Sequence, residues 1–75
     1  MNARYQVCPQ CPDRVNSDWP NGLSMPVWSY RSFPSARKFA EKEAMSYTFG
    51  LVVYDSEKRR VYDGERWVPA EDFGK

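Results

Sequence analysis

SFPSARKFAEKEAMSYTFGLVVYDSEKRRVYDGERWV, residues 32–68, reads as one short amphipathic helix followed by three closely spaced segments of β character. Ser32 is placed to cap the orphan amides of a first turn. Pro34 is tolerated there because its missing N–H has no helical partner, and good helix formers follow. Ala36, Phe39, Ala40, Ala44 and Tyr47 recur at helical spacing on one side, while Arg37, Lys38, Glu41, Lys42 and Met45 face away. Small alanines around one Phe let such a helix sit close to a sheet, with Phe39 as its expected anchor. Glu43 projects among the apolar positions, between Ala36 and Phe39, and is expected to pair with Arg31 or Arg66 rather than stay alone.

Residues 49–55 (FGLVVYD) form a β-branched and aromatic run, Ser56-Glu57-Lys58 supplies a polar turn, and residues 59–62 resume a strand. Asp63-Gly64 is a hairpin signal because both residues tolerate the positive φ of a tight turn. A last strand at Arg66-Trp67-Val68 is expected to end at Pro69, which has no N–H for a ladder.

Working outward, Arg4 to Cys8 alternates polar with apolar, as a half-buried strand at a sheet edge does. Residues 9–26 are rich in Pro, Asn, Asp, Ser and Gly, and Trp19-Pro20-Asn21-Gly22 is turn chemistry, so this is one long irregular loop, pinned by Trp19 and Leu23. Residues 27–31 return to β character. The sum is β-loop-β-α-β-β-β: an α+β fold in which a four- or five-stranded antiparallel sheet carries one helix on one face. One helix cannot cover both faces of such a sheet, so an aromatic face is expected to be left over.

With 75 residues and a formal net charge of +1, the chain makes one small domain, residues 1–75, without room for a large catalytic cleft. No run of about 18 apolar residues offers a membrane span, and MNARYQVCPQ lacks the apolar core of a secretory signal. The expected compartment is the cytoplasm, where two cysteines stay reduced.

Cys8-Pro9-Gln10-Cys11 has the spacing of half a zinc knuckle. A structural zinc takes four ligands, and the chain has no His and no second Cys pair. Cys8 and Cys11 therefore hold a metal only across a dimer or with carboxylates such as Asp13 and Asp18, and the expectation is no cofactor. Without His, neither a Ser–His–Asp nor a Cys–His arrangement can be built, and Gly22, Gly50, Gly64 and Gly74 are too far apart for a phosphate loop. The carboxylates read as solvated surface, so the chain is expected not to be an enzyme.

The basic residues are more suggestive. Arg37, Lys38 and Lys42 share the exposed half of the helix, Lys58-Arg59-Arg60 marks the first hairpin, and Trp28, Tyr30, Tyr54, Tyr62 and Trp67 recur on strands. Cations with interleaved aromatics suit a nucleic-acid surface. Acidic residues mixed into the same segments, together with near-neutral charge, favour protein contact instead, for which Tyr, Trp and Arg are the usual anchors. The candidate binding residues are Arg37, Lys38, Lys42, Arg59, Arg60, Tyr54, Tyr62 and Trp67.

SFPSARKFAEKEA followed by TFGLVVYD and GERWV resembles the small phage-encoded proteins of helix-on-antiparallel-sheet type, and is most similar to the type I-F anti-CRISPR proteins. The resemblance covers residues 32–68; the 9–26 loop with its CPQC has no counterpart in it. It implies a phage or mobile-element protein that inhibits a host nucleoprotein complex in the host cytoplasm by stoichiometric binding in its nucleic-acid path. Arg37, Lys38 and Lys42 match the contacting helix positions. Two other classes stand beside it: a zinc-linked homodimer built on CPQC, and a small nucleic-acid-binding module.

Overall fold

The computed structural model describes residues 3–10, 23 and 26–73. In chain order it contains β1 (Tyr5–Pro9), β2 (Trp28–Tyr30), α1 (Phe33–Glu43), a 3-10 turn at Ala44–Ser46, β3 (Leu51–Asp55), β4 (Arg60–Tyr62) and β5 (Trp67–Pro69). The strands form one antiparallel sheet of five in the order β2-β1-β3-β4-β5, and α1 packs across one face. The fold is α+β, as its periodicities require.

β1 is not an edge strand. It lies between β2 and β3, and Val7 and Cys8, adjacent in sequence and so on opposite faces, are both 0% exposed. The alternation that suggested a half-wet strand reflects only its polar flank at Arg4 and Gln6. Pro9 closes β1, and Gln10 bridges to a fully buried Leu23. The rest of the expected loop, including its Trp19 pin, lies outside the described residues.

Register decides which aromatics meet. Tyr5 is opposite Tyr30, Val7 opposite Trp28 and Val53, and Tyr62 opposite Val53 and Trp67, so all of these project on the helix face. With Phe33 and Phe39 of α1 they form one cluster around Val7, Ala36, Ala40 and Val53. The other face gathers Cys8, Val52 and Val61 and is covered by Leu23, Ala70 and Phe73, with Tyr54 and Val68 at its margin. The expected leftover aromatic face therefore does not form. Apart from Tyr54, the sheet's aromatics lie under or beside the helix, and among the described residues Leu23 and a turn at Ala70–Phe73 pack on the other side. Each fully buried valine contributes about 1.5–3 kcal/mol, and both faces share in that burial.

Ser32 has the extended backbone of an N-cap (φ −123°, ψ 146°), with Pro34 in the first turn. Its hydroxyl does not cap an amide, however; it donates to the Ser35 hydroxyl at 3.0 Å. Ala36 and Ala40 are the buried helix residues, and Phe39 is only partly buried. The tight approach rests on the two alanines. Phe33, at the first helical position and likewise partly buried, is the aromatic that meets the middle of the sheet, touching Tyr5, Tyr62 and Trp67. Glu43 pairs with neither Arg31 nor Arg66: it is half-buried and has no ion pair among the described residues.

Gly50 (φ 79°) turns the chain from the helix into β3, and Gly64 (φ 104°) serves the β4–β5 hairpin. In that hairpin the Asp63 carboxylate accepts the N–H groups of Glu65 and Arg66. Pro69 does not lie beyond the pairing: it is the last residue of β5, opposite Arg60. Ala70 N–H donates to Arg59 C=O at 3.0 Å and Asp63 N–H to Arg66 C=O at 3.1 Å. By alternation Pro69 then occupies a position whose main-chain groups point away from β4, where a missing N–H removes no ladder bond.

Candidate binding surface

The helix divides the predicted cations between two flanks and an outward crest. At about 100° per residue, Arg37 falls beside Ala40, Glu41 and Ala44, whereas Lys42 falls beside Phe39 on the other side and Lys38 lies on the outward crest between Glu41 and Lys42. Arg37 donates to Glu41 at 2.9 Å and its guanidinium lies 5.7 Å from the centre of the Tyr62 ring. Between this flank and the sheet runs a groove of about 180 Å³, lined by Arg37, Ala40, Glu41, Ala44, Leu51, Val53 and Tyr62 among others. The Tyr62 hydroxyl donates to Gly64 C=O across its far wall.

Arg60 is committed within the fold. Its Nε donates to Asp55 at 3.4 Å, and its guanidinium stacks 4.1 Å from the Trp67 ring. Tyr62 and Trp67 are half-buried against Phe33. Arg59 is exposed in the β3–β4 turn with a left-handed backbone, φ 50°. Tyr54 lies on the sheet's other face with Val52 and Val61. Of the eight candidate residues, then, Arg37, Arg60, Tyr62 and Trp67 come together on the helix side, Lys42 stands on the opposite helix flank with Lys38 on the crest between, Arg59 stands in the β3–β4 turn, and Tyr54 is on the other face of the sheet.

The Lys42 side of the helix carries Trp28, one of two exposed aromatics among the described residues; the other, Phe49, is 54% exposed ahead of β3. Trp28 is 56% exposed and its indole stacks on Phe39, centroids 6.0 Å apart at 20°. Tyr30 packs against both rings. Lys38 and Lys42 are exposed and make no ion pair among the described residues. Arg31, at the end of β2, is exposed as well. Trp28 was legible as a strand aromatic, but its exposure depends on β2 being the outermost strand, which only the strand order reveals.

One carboxylate departs from the expected solvated surface. Asp55 is 0% exposed. Arg4 grips it twice, Nε to Oδ1 at 2.9 Å and Nη2 to Oδ2 at 3.1 Å, and the Glu57 and Lys58 amides donate to Oδ1. Burial pushes its pKa up, yet the Arg4 hydrogen bonds and the two turn amides outweigh this, so the carboxyl lies below its ordinary value. This cluster fixes the β3–β4 turn rather than presenting a reactive group.

Cys8, the described half of the CPQC pair, packs among Leu23, Val52, Val61 and Phe73, and burial pushes its thiol up to about 12. A metal ligand must be a thiolate, and this environment favours the thiol. Cys11 lies outside the described residues. No helix among the described residues is long and apolar enough to cross a membrane.

Comparison with protein families, with curated proteins and with solved structures finds no match to this chain.

Proposed function

We propose that this chain is a small non-enzymatic protein of phage or mobile-element type that inhibits or redirects a host macromolecular complex by stoichiometric binding. The resemblance of residues 32–68 to type I-F anti-CRISPR proteins implies this, and the action calls on no cofactor. The observation that carries the reading is the Trp28–Phe39 stack with Lys42 beside it and Lys38 one turn away on the helix crest: a large exposed aromatic near two cations that make no ion pair among the described residues. Exposed Trp with neighbouring cations is the composition of a binding hot spot. Arg37, Arg60, Tyr62 and Trp67 shape the other side of the helix, and Arg59 extends the cationic margin.

The test is capture from bacterial lysates by the immobilised protein, compared with Trp28→Ala and with the double reversal Lys38→Glu/Lys42→Glu. Stoichiometric retention of one assembly by the parent and its loss from both folded variants supports the reading. Equal retention by both variants removes this flank from the site.

A further inference from the structure

We infer that the outer edge of β2 is a strand-addition site, which takes an extended acidic segment of a partner protein as a sixth, antiparallel strand. The inference deepens the proposed function, since it rests on the Trp28 flank being the binding surface.

The geometry follows from main-chain parity. Val27 N–H donates to Val7 C=O at 2.9 Å, while Arg4 C=O accepts from Ser56 N–H at 3.0 Å and Gln10 N–H donates to Gly50 C=O at 3.1 Å. Odd positions of β1 therefore turn their main-chain groups toward β2, and even positions turn theirs toward β3. Ser29 lies opposite Gln6, so its N–H and C=O point away from β1, out of the sheet. Ser29 is exposed, as are Val27, Trp28 and Arg31 around it, and among the described residues no strand pairs with this outward donor and acceptor.

The other edge of the sheet is interrupted by a proline. On β5 the outward-facing position opposite Arg60 is Pro69, which has no N–H, a common way for a sheet to block edge pairing. The β5 edge keeps the outward N–H and C=O of Trp67 but loses the next donor at Pro69, whereas β2 presents its Ser29 pair with no proline in the strand.

Side chains specify what kind of strand fits. A residue paired with Ser29 sends its own side chain to the Ser29 side, and its two neighbours project on the helix face. There Trp28 offers apolar contact and Lys42, one helical step from Phe39, offers positive charge, with Lys38 farther out on the helix crest. Glu43 is the carboxylate on this helix flank, and it is half-buried toward the sheet. Charge complementarity thus selects acidic and apolar side chains at alternate positions, the usual division in which main-chain bonds give affinity and alternate pockets give specificity.

The probe is a blocked peptide about seven residues long, with threonine at alternate positions and glutamate or valine at the others, titrated against the full chain and followed by amide and indole NMR shifts and by hydrogen exchange. The expected result is a shift of the Trp28 indole, slowed exchange of the Ser29 amide, and at least tenfold weaker binding of the counterpart carrying lysine for glutamate. Ser29→Pro removes only an outward N–H, so it should leave the unfolding midpoint within a few degrees and abolish peptide binding. No shift at Ser29 with millimolar peptide, equal binding of the lysine peptide, or full binding by folded Ser29→Pro overturns strand addition. So does an oligothymidylate that shifts the same residues and is indifferent to Ser29→Pro, which would make the flank a nucleic-acid surface. In the lysate experiment, capture kept by Ser29→Pro but lost by Trp28→Ala overturns strand addition and leaves stoichiometric binding standing, whereas retention by both overturns the two together.

Discussion

Two buried residues carry more of the structure than their chemistry suggests. Asp55 has its charge satisfied by Arg4, Arg60 and two turn amides. Removing Asp55 leaves the Glu57 and Lys58 amides without their acceptor and takes from Arg4 its two charged hydrogen bonds, so Asp55→Ala should cost about 3 kcal/mol, measured by urea unfolding at neutral pH. Because the folded carboxyl is held below its ordinary value, its contribution is complete above the unfolded Asp range near about 3.9 and disappears as pH falls through the lower folded value. Acid titration of stability should show that loss in the parent and a shallower limb in Asp55→Asn. Cys8 behaves in the opposite sense. Its thiol is raised to about 12, so its contribution is present below the ordinary thiol range and declines as pH climbs above it toward that value. Cys8→Ser buries a hydroxyl among Val52, Val61 and Phe73 and should cost about 1–3 kcal/mol. Iodoacetamide should label Cys8 only under unfolding conditions; rapid labelling of the native chain at this position would show that it is not buried.

At the scale of elements, the helix depends on small residues more than on its central aromatic. Ala36 and Ala40 bring α1 onto β1 and β3, and Phe33 fills the space over Tyr5, Tyr62 and Trp67. Phe39 instead packs on Trp28, which is itself exposed. Phe33→Ala should therefore cost about 3 kcal/mol and Phe39→Ala clearly less, while Ala40→Leu should cost about 1–3 kcal/mol by overpacking. Thermal melts of the three variants check the order, and a Phe39→Ala variant less stable than Phe33→Ala would reverse it. This ranking also marks what local sequence can disclose. The spacing of Ala36, Phe39 and Ala40 identified the helix and its inward arc, and Asp63-Gly64 identified a hairpin, because both signals are contained within a few residues. Strand order is not local. β1 meets β3 across more than forty residues of sequence, so nothing near Tyr5 or Val7 announced that β1 lies inside the sheet, or that β2 with Trp28 would be left outside. For the same reason the Arg4–Asp55 contact, which joins those distant strands, was invisible, and the carboxylates read as surface.

At the scale of the molecule, the helix faces assign different jobs to charges that look equivalent in sequence. Arg37 is held by Glu41 and lies over Tyr62, so it contributes to the groove wall as much as to any partner. Lys38 and Lys42 have no ion-pair partner within the described fold, and reversing them should leave circular dichroism unchanged and shift stability by no more than about 0.5 kcal/mol each. Their effect belongs to encounter. Exposed charges at the margin of an interface mainly steer association, while a well-packed aromatic at its centre governs dissociation. With a captured partner, Lys38→Glu/Lys42→Glu should thus lower the association rate about tenfold at low salt, an effect that shrinks as ionic strength rises and the Debye length contracts below about 10 Å. Trp28→Ala should act on the other rate, speeding dissociation by about thirtyfold, which corresponds to a hot-spot loss of about 2 kcal/mol, at low and high salt alike. Surface plasmon resonance at two ionic strengths separates these expectations. Should Trp28→Ala leave the dissociation rate untouched, the exposed indole is not the anchor, and the Arg37–Tyr62 groove becomes the surface to probe.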